Sequence, residues 1–478
     1  MPRRTKIIAT LGPATDTPEL MLALIDAGTN LVRINMSHGA HEEHRRRIEL
    51  ARTCAQSLDK SLGILVDLQG PKIRIAAFKD PTGIVLKEGS IFQLDANWPS
   101  DEGNETRVGL DYPQLPQEIM AGDELLLDDG RIILIVKAIK GSVIDCVVKT
   151  GGRLLSNKGL NRKGGGLSAA SLTEKDKADI EFIAALKVDY VALSFPKGAN
   201  DLHEARRLIA ATGTTPYLIA KIERTEAITN IDEIIEASDA VMVARGDLGV
   251  EIGYAELPGV QKYIINRARL LDRAVITATQ MMESMIRNPL PTRAEVSDVA
   301  NAILDGTDAV MLSAETATGE FPIEVVKSLD EICLAAERYK GPRLPQNDEG
   351  KFSSHDKAIA MAAMYIAHHV PIKAIVTLTE SGSTALWMSR VRSGIPIYAL
   401  SRNAQTCGRV TLFRGVYPVE FDLTCYQPWE ISRYALATLV DQEILEPGDK
   451  VILTKGDVLG IGGFTNALKI LTVPATNV

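Results

Sequence analysis

The sequence is poor in the features that mark disulfide scaffolds, metal knuckles, membrane spans and nucleic-acid binders. Its 478 residues include five cysteines, Cys54, Cys146, Cys333, Cys407 and Cys425, with no CxxC spacing. That argues against a zinc knuckle and a disulfide framework, and a reducing cytoplasm is the expected setting. No run approaches the roughly 20 apolar residues of a membrane helix. Met1-Pro2-Arg3-Arg4 leads straight into the strand-like Lys6-Ile7-Ile8-Ala9-Thr10, which leaves no room for an apolar signal region. Positive charge is scarce as well. The net charge of -8 and pI near 5.6 give no basic footprint for nucleic acid or an anionic membrane, so neither is an expected partner. An anionic substrate must then be met by a local cluster of cations.

What is present is the composition of an ordinary globular protein, 45% hydrophobic and 24% charged, with length for about three domains. Eight apolar, β-branched runs recur, beginning at Lys6, Asn30, Gly63, Asp189, Tyr217, Ala240, Ala274 and Asp308. Most are continuously hydrophobic, as parallel strands buried on both faces require. Helical segments with recognisable ends separate them. Thr17-Pro18-Glu19 offers a cap and a first-turn proline, Gly28 a stop, and Thr173-Glu174-Lys175-Asp176 a capping box. Eight strand-helix repeats predict a closed (β/α)8 TIM barrel over 1–70 and 168–340. Residues 71–167 interrupt it after strand three with alternating segments and Asp-Gly turns, read as a small inserted β-barrel domain whose return hinge is Gly164-Gly165-Gly166. A polar stretch from Gly341 to Ser354 reads as a linker into a C-terminal α/β domain, 341–478.

In such barrels chemistry gathers at the C-terminal ends of the strands. Collected there are Arg33, Asn35, Ser37 and His38; Asp67, Lys72 and Arg74; Lys221, Glu223 and Arg224; Arg245, Gly246 and Asp247; Thr279 and Gln280. Ordinary ion pairing of Glu223 with Arg224 and of Asp247 with Arg245 is the structural alternative for either carboxylate alone. The constellation favours a metal-assisted site for a phosphorylated acid. Lys221 and Glu223, two apart on a strand, face the same way. Carboxylates without nearby cysteine suit a hard cation such as Mg²⁺, with Mn²⁺ as a substitute.

The segments RINMSHG, GPKIR, KIERTEA, ARGDLGVE, ATQMMESM and PTRAEVSDVANAILDGTDAVMLSAETA resemble the signature stretches of the pyruvate kinases, in order and around an insertion of the right size. The resemblance implies phosphoryl transfer from phosphoenolpyruvate to ADP, giving pyruvate and ATP. It implies that Glu223 and Asp247 hold Mg²⁺ and that Gly246, Asp247 and Thr279 receive the substrate carboxylate. Arg33 and Lys221 would neutralise the transferred phosphoryl group, Lys221 would stabilise the enolate, and Thr279, through water, would deliver its proton. Asn35, His38, Arg74 and Lys158 would face the nucleotide. A homotetramer is implied as well.

One departure stands out. Asn35, Ser37 and Asp67 match a monovalent-cation site of the family, but the Leu68-Gln69-Gly70-Pro71-Lys72 that follows replaces the Thr-Lys-Gly-Pro-Glu of potassium-dependent members and leaves at most a remnant of that site. Lys72 then supplies a fixed ammonium, and potassium is expected to be dispensable. In the C-terminal domain Thr377, Thr379, Ser381, Gly382, Ser383 and Thr384 precede a helix-like run, forming an anion nest. In the family the matching loop takes an effector phosphate, so a phosphorylated sugar or nucleotide effector is expected. His41, His44 and Arg45 to Arg47 read as a solvated helix face, and Met281, Met282 and Met285 as core. Two rivals share these features. A barrel lyase would not bind nucleotide, and a metabolite sensor with a dead barrel would lack Lys221, Glu223, Asp247 or Thr279.

Overall fold

The computed structural model describes residues 2–339, 352, 354–391, 393–457 and 463–475, and in it eight short parallel strands close into a barrel. They are Lys6–Thr10, Leu31–Asn35, Gly63–Asp67, Tyr190–Leu193, Tyr217–Ile222, Ala240–Ala244, Ala274–Ala278 and Ala309–Leu312. Each lies within one of the eight apolar runs. Closure comes where Lys6 stands opposite Ala309 and Ile8 opposite Leu31. Along the first strand Ile7 and Ala9 pack outward on the helices while Ile8 fills the interior, which is why the runs cannot alternate with polar residues. The helix ends follow local chemistry. Thr17 accepts from Leu20 N at the start of Pro18–Asp26, and Thr173 exchanges bonds with Asp176 at the start of Glu174–Ala184. Met281, Met282 and Met285 are fully buried.

The helix His41–Ser57 corrects one expectation. His44 and Arg47 are buried with Ile48 and Ala51, and Arg47 pairs with Asp16 at 2.6 and 2.8 Å. Positions three and four apart share the inner face, so a charged run need not all meet water.

The segment between strands three and four builds its own core around Phe92, Leu94, Leu125, Leu134 and Ile144. Where the sequence suggests a small barrel, the hydrogen bonds resolve a six-stranded sheet and a two-stranded ribbon. Ile91–Asp95 and Arg107–Gly109 pair in parallel within an otherwise antiparallel sheet. Beyond the barrel, helix His355–His369 leads to four parallel strands, Val416–Glu420, Ile397–Ser401, Ala374–Leu378 and Lys450–Gly456. A fifth, Thr465–Thr472, joins antiparallel at the edge and is not evident in the sequence, because its residues face both solvent and core irregularly. The expected linker 341–354 lies outside the described residues except for Phe352 and Ser354.

One core joins the barrel to the C-terminal layer. Ile8, Leu65, Met242 and Ile276 inside the barrel are continuous with Met388, Phe413 and Val416. Lys6 Nζ donates to Val416 O at 2.5 Å, with the Tyr417 ring 4.3 Å away. Burial pushes the Lys6 ammonium down to about 7. Asp308 receives both Nη atoms of Arg390. The C-terminal layer thereby covers the barrel interior at the N-terminal ends of the strands, opposite the mouth. Among the described residues no helix is long and apolar enough to cross a membrane.

Candidate active site

Strands two, three and five deliver four charged groups to one point. Asn35 stands opposite Asp67 in the ladder, which brings Arg33 and Asp67 to one rim. Arg33 Nε and Nη2 reach Asp67 Oδ2 at 2.8 and 2.7 Å, and Arg33 Nη1 donates to Thr10 Oγ1 at 3.1 Å. Lys221 Nζ lies 3.0 Å from Glu223 Oε1 and 3.2 Å from Asp67 Oδ1, and donates to Ser194 Oγ at 2.7 Å. All but Lys221 are buried, and Lys221 is nearly so. Burial opposes the charge on Lys221, but Asp67 and Glu223 outweigh it, so the ammonium is held well above its ordinary value. Burial would likewise raise Asp67, yet Lys221 and Arg33 hold it below the usual carboxylate range. Glu223 goes the other way: burial, with Asp247 and Asp67 adding, pushes its carboxyl up against the pull of Lys221.

Asp247 enters from the helix Arg245–Ile252 that follows strand six. The ordinary ion pairs are not made. Arg245 turns to Asp298 at 2.8 Å and Arg224 to the carbonyl of Leu167 at 3.0 Å. Asp247 Oδ1 instead receives Lys72 Nζ at 2.8 Å. Lys72 is therefore directed at the Asp247 carboxylate rather than at Asn35, Ser37 and Asp67, and the charge of Asp67 is met by Arg33 and Lys221. Asn35 Oδ1 accepts from Ser37 N at 3.1 Å, and the carbonyl of Leu68 accepts from Ser194 Oγ at 2.7 Å.

Thr279 and Gln280 follow strand seven with φ of 68° and 52°, a strained region for residues with side chains. Arg245 Nη2 holds both carbonyls, at 2.9 and 3.3 Å, which makes this arginine a buried scaffold. The turn places Thr279 Oγ1 to accept from Gly246 N at 2.8 Å while donating to Ala278 O at 2.6 Å. A Cβ at Gly246 would meet nothing nearer than Thr279, at 3.6 Å. The protein's own packing therefore does not require glycine there, and the gap faces the mouth.

Of the residues expected at a nucleotide, Asn35 is half-buried and His38 exposed after strand two, while Ser37 of the expected cation site is half-buried between them. Arg74 Nη1 donates to Asn157 O at 2.9 Å, and Lys158 pairs with Asp128 at 2.7 Å within the insertion. The same Asp128–Asp129 turn touches the barrel, where Tyr254 OH donates to Asp129 O at 3.2 Å. Ser194 and Phe195 were missed by sequence reasoning. Phe195, at φ 56°, donates its N–H to Glu223 Oε2 at 2.8 Å. The available signal was a serine ending an otherwise apolar barrel strand.

A model of the pyruvate kinase barrel domain matches residues 2–326, and one of the pyruvate kinase alpha/beta domain matches residues 357–471. The chain belongs to the pyruvate kinase family. Pyruvate kinase II of Salmonella typhimurium is 52% identical over 476 residues, 98% of this chain and 99% of its own. The pyruvate kinase of Haemophilus influenzae is 51% identical over 95% of this chain and 96% of its own, and that of Geobacillus stearothermophilus 41% identical over 98% and 80%. This is a family of phosphotransferases, generally dependent on Mg²⁺. The donor set fits such an ion. Glu223 and Asp247 present carboxylate oxygens that repel one another, each beside a lysine, Lys221 and Lys72, and not an arginine. Among the described residues no group of three or more His, Cys, Asp or Glu is arranged for a metal, so substrate and water oxygens would complete the shell.

In the C-terminal domain Gly382, φ 86°, caps the helix Ser383–Arg390, and its N–H donates to Thr379 Oγ1 at 2.9 Å. Ser381 and Ser383 hydroxyls lie 3.0 Å apart. Thr384 bonds Thr465 at 2.9 Å, and Thr377 is fully buried in its strand opposite Thr454. The structure thus brings Thr379 to Ser383 together as a loop and assigns Thr377 to the sheet.

Proposed function

We propose that this chain transfers the phosphoryl group of phosphoenolpyruvate to ADP at the barrel mouth, releasing pyruvate and ATP with uptake of one proton. The observation that carries the reading is the convergence of Lys221, Arg33, Glu223 and Asp67 from three strands, with Asp247 beside them. Glu223 and Asp247 would hold the divalent cation, which when bound neutralises charge on the phosphoryl and carboxylate oxygens. Gly246, Asp247 and Thr279 receive the substrate carboxylate at the first turn of a helix, with Gly246 N exchanging its bond to Thr279 Oγ1 for the incoming oxygen. Lys221 and Arg33 take the phosphoryl oxygens in line with the nucleotide, and Lys221, kept protonated, then balances the enolate. Thr279 already donates to Ala278 O, so it orients a water for protonation at carbon rather than acting as the acid itself.

Asn35, His38, Arg74 and Lys158 face ADP, with residues 71–167 acting as a cover that excludes water. Lys72, Lys221 and Arg33 are fixed cations among these carboxylates, which supports activity without potassium. The loop from Thr379 to Thr384 is read as the seat of a phosphorylated sugar or nucleotide effector, in a homotetramer. The test is pyruvate formation by the purified protein with phosphoenolpyruvate, ADP and Mg²⁺ in potassium-free buffer, with and without a panel of sugar phosphates and AMP. Robust turnover is expected, with a lower half-saturating phosphoenolpyruvate concentration for one effector. Many-fold activation by KCl over a tetraalkylammonium control would remove the role of Lys72, and no turnover under any condition would refute the reaction.

A further inference from the structure

The insertion returns to the barrel through Gly164-Gly165-Gly166, at φ of 84°, 75° and 87°. Three glycines in the left-handed region have little intrinsic preference to stay there. The barrel supplies what the chain lacks. Gly164 N donates to the carbonyl of Glu251 at 3.2 Å, and Gly166 N to Glu226 Oε1 at 2.5 Å. A Cβ at Gly165 would lie 2.8 Å from Glu226 Oε2 and 2.9 Å from Oε1, so the carboxylate occupies the space that glycine leaves. Glu226 Oε2 is buried without a hydrogen-bond partner, and among the described residues no ion pair engages Glu226, so its side-chain bond is the one to Gly166 N. Glu226 lies in the short helix Thr225–Thr229 that follows strand five, with Arg224 and Thr225 between it and Glu223.

We propose that Glu226 is a positioning residue whose carboxylate latches the glycine hinge. The latch fixes the angle at which the insertion carries Arg74 and Lys158 over the mouth. Because Lys221, Glu223 and Glu226 belong to one continuous segment, the cover and the reacting groups share a reference frame. The inference rests on the reading of residues 71–167 as the cover of the site, and it adds the device that sets its position.

The experiment compares the full-length protein with E226A and E226Q, by hydrogen exchange of the peptide spanning the three glycines and by initial-rate kinetics. In E226A exchange at Gly166 rises about tenfold, and the KM for ADP rises about tenfold while that for phosphoenolpyruvate stays within about twofold. E226Q keeps an oxygen acceptor for Gly166 N and restores both. Unchanged exchange in E226A, or faster exchange without the split between the two KM values, overturns the latch. Exchange is read without substrates, so a wild-type protein that forms no pyruvate refutes the reaction independently of the hinge. If E226A does not accumulate folded, E226D replaces it, since its shorter side chain withdraws the carboxylate from Gly166 N. The same changes are expected there, and their absence equally overturns the proposal.

Discussion

Replacing Gly246 by Ala separates what the fold needs at the mouth from what a ligand needs. The added Cβ would stand 3.6 Å from Thr279 Oγ1, an ordinary contact, and nothing else of the protein lies closer. Gly246 sits in the first turn of the helix Arg245–Ile252, where alanine favours helix by about 0.5–1 kcal/mol. Folding stability should therefore be unchanged or rise by up to about 1 kcal/mol. Activity should move the opposite way. If the substrate carboxylate lies against the main chain of Gly246 and Asp247, the methyl group holds it off. The loss of one hydrogen bond to a charged group is about 1.5–3 kcal/mol. That corresponds to a fall in kcat/KM for phosphoenolpyruvate of roughly 10- to 150-fold. The assay is a lactate dehydrogenase-coupled rate across phosphoenolpyruvate concentrations, beside urea denaturation of the same samples. A variant as active as the parent would refute the placement of the carboxylate. A variant that loses stability would refute the packing argument.

Two further predictions concern groups that only the structure exposed. Ser194→Ala removes the hydroxyl that accepts from Lys221 Nζ and donates to Leu68 O, so kcat should fall about tenfold, with stability reduced by about 1–3 kcal/mol; an unchanged kcat would show that Asp67 and Glu223 alone orient Lys221. Asp189 is buried beneath the barrel, where burial pushes its carboxyl up to about 7 from 3.8, against the N–H of Ile64. The folded state thus binds this proton more tightly than the unfolded one, and the contribution of Asp189 to stability should fall as pH rises from about 4 to about 7. Asp189→Asn keeps an acceptor for Ile64 N and lacks the charge. Its advantage should open over that window towards a ceiling of about 4 kcal/mol, read as a growing Tm difference; a pH-independent difference would contradict it.

The eight barrel strands were legible because parallel strands covered on both faces must be continuously apolar, a local property of the chain. The helix starts at Thr17 and Thr173 were legible for the same reason, since a cap involves only neighbours in sequence. Lys221, Glu223 and Asp247 could be listed from sequence because a barrel fixes which strand ends share a mouth. Their partners could not. Whether Glu223 would meet Arg224 or Lys221, and whether Lys72 would reach Asp67 or Asp247, depends on side-chain directions set by packing across the barrel. Arg245 belongs by sequence to the mouth cluster, yet the left-handed turn at Thr279 and Gln280 claims it. His44 and Arg47 were placed in solvent by charge alone, where helical phase turns them inward. The gripping of the three hinge glycines by Glu226 and Glu251 unites residues some sixty to ninety positions apart. Sequence alone determined the strands, their order and the chemistry available at their ends, because those are written in neighbouring residues. Tertiary structure alone decided which charge meets which, because that choice is made by distance and burial between segments the chain keeps far apart.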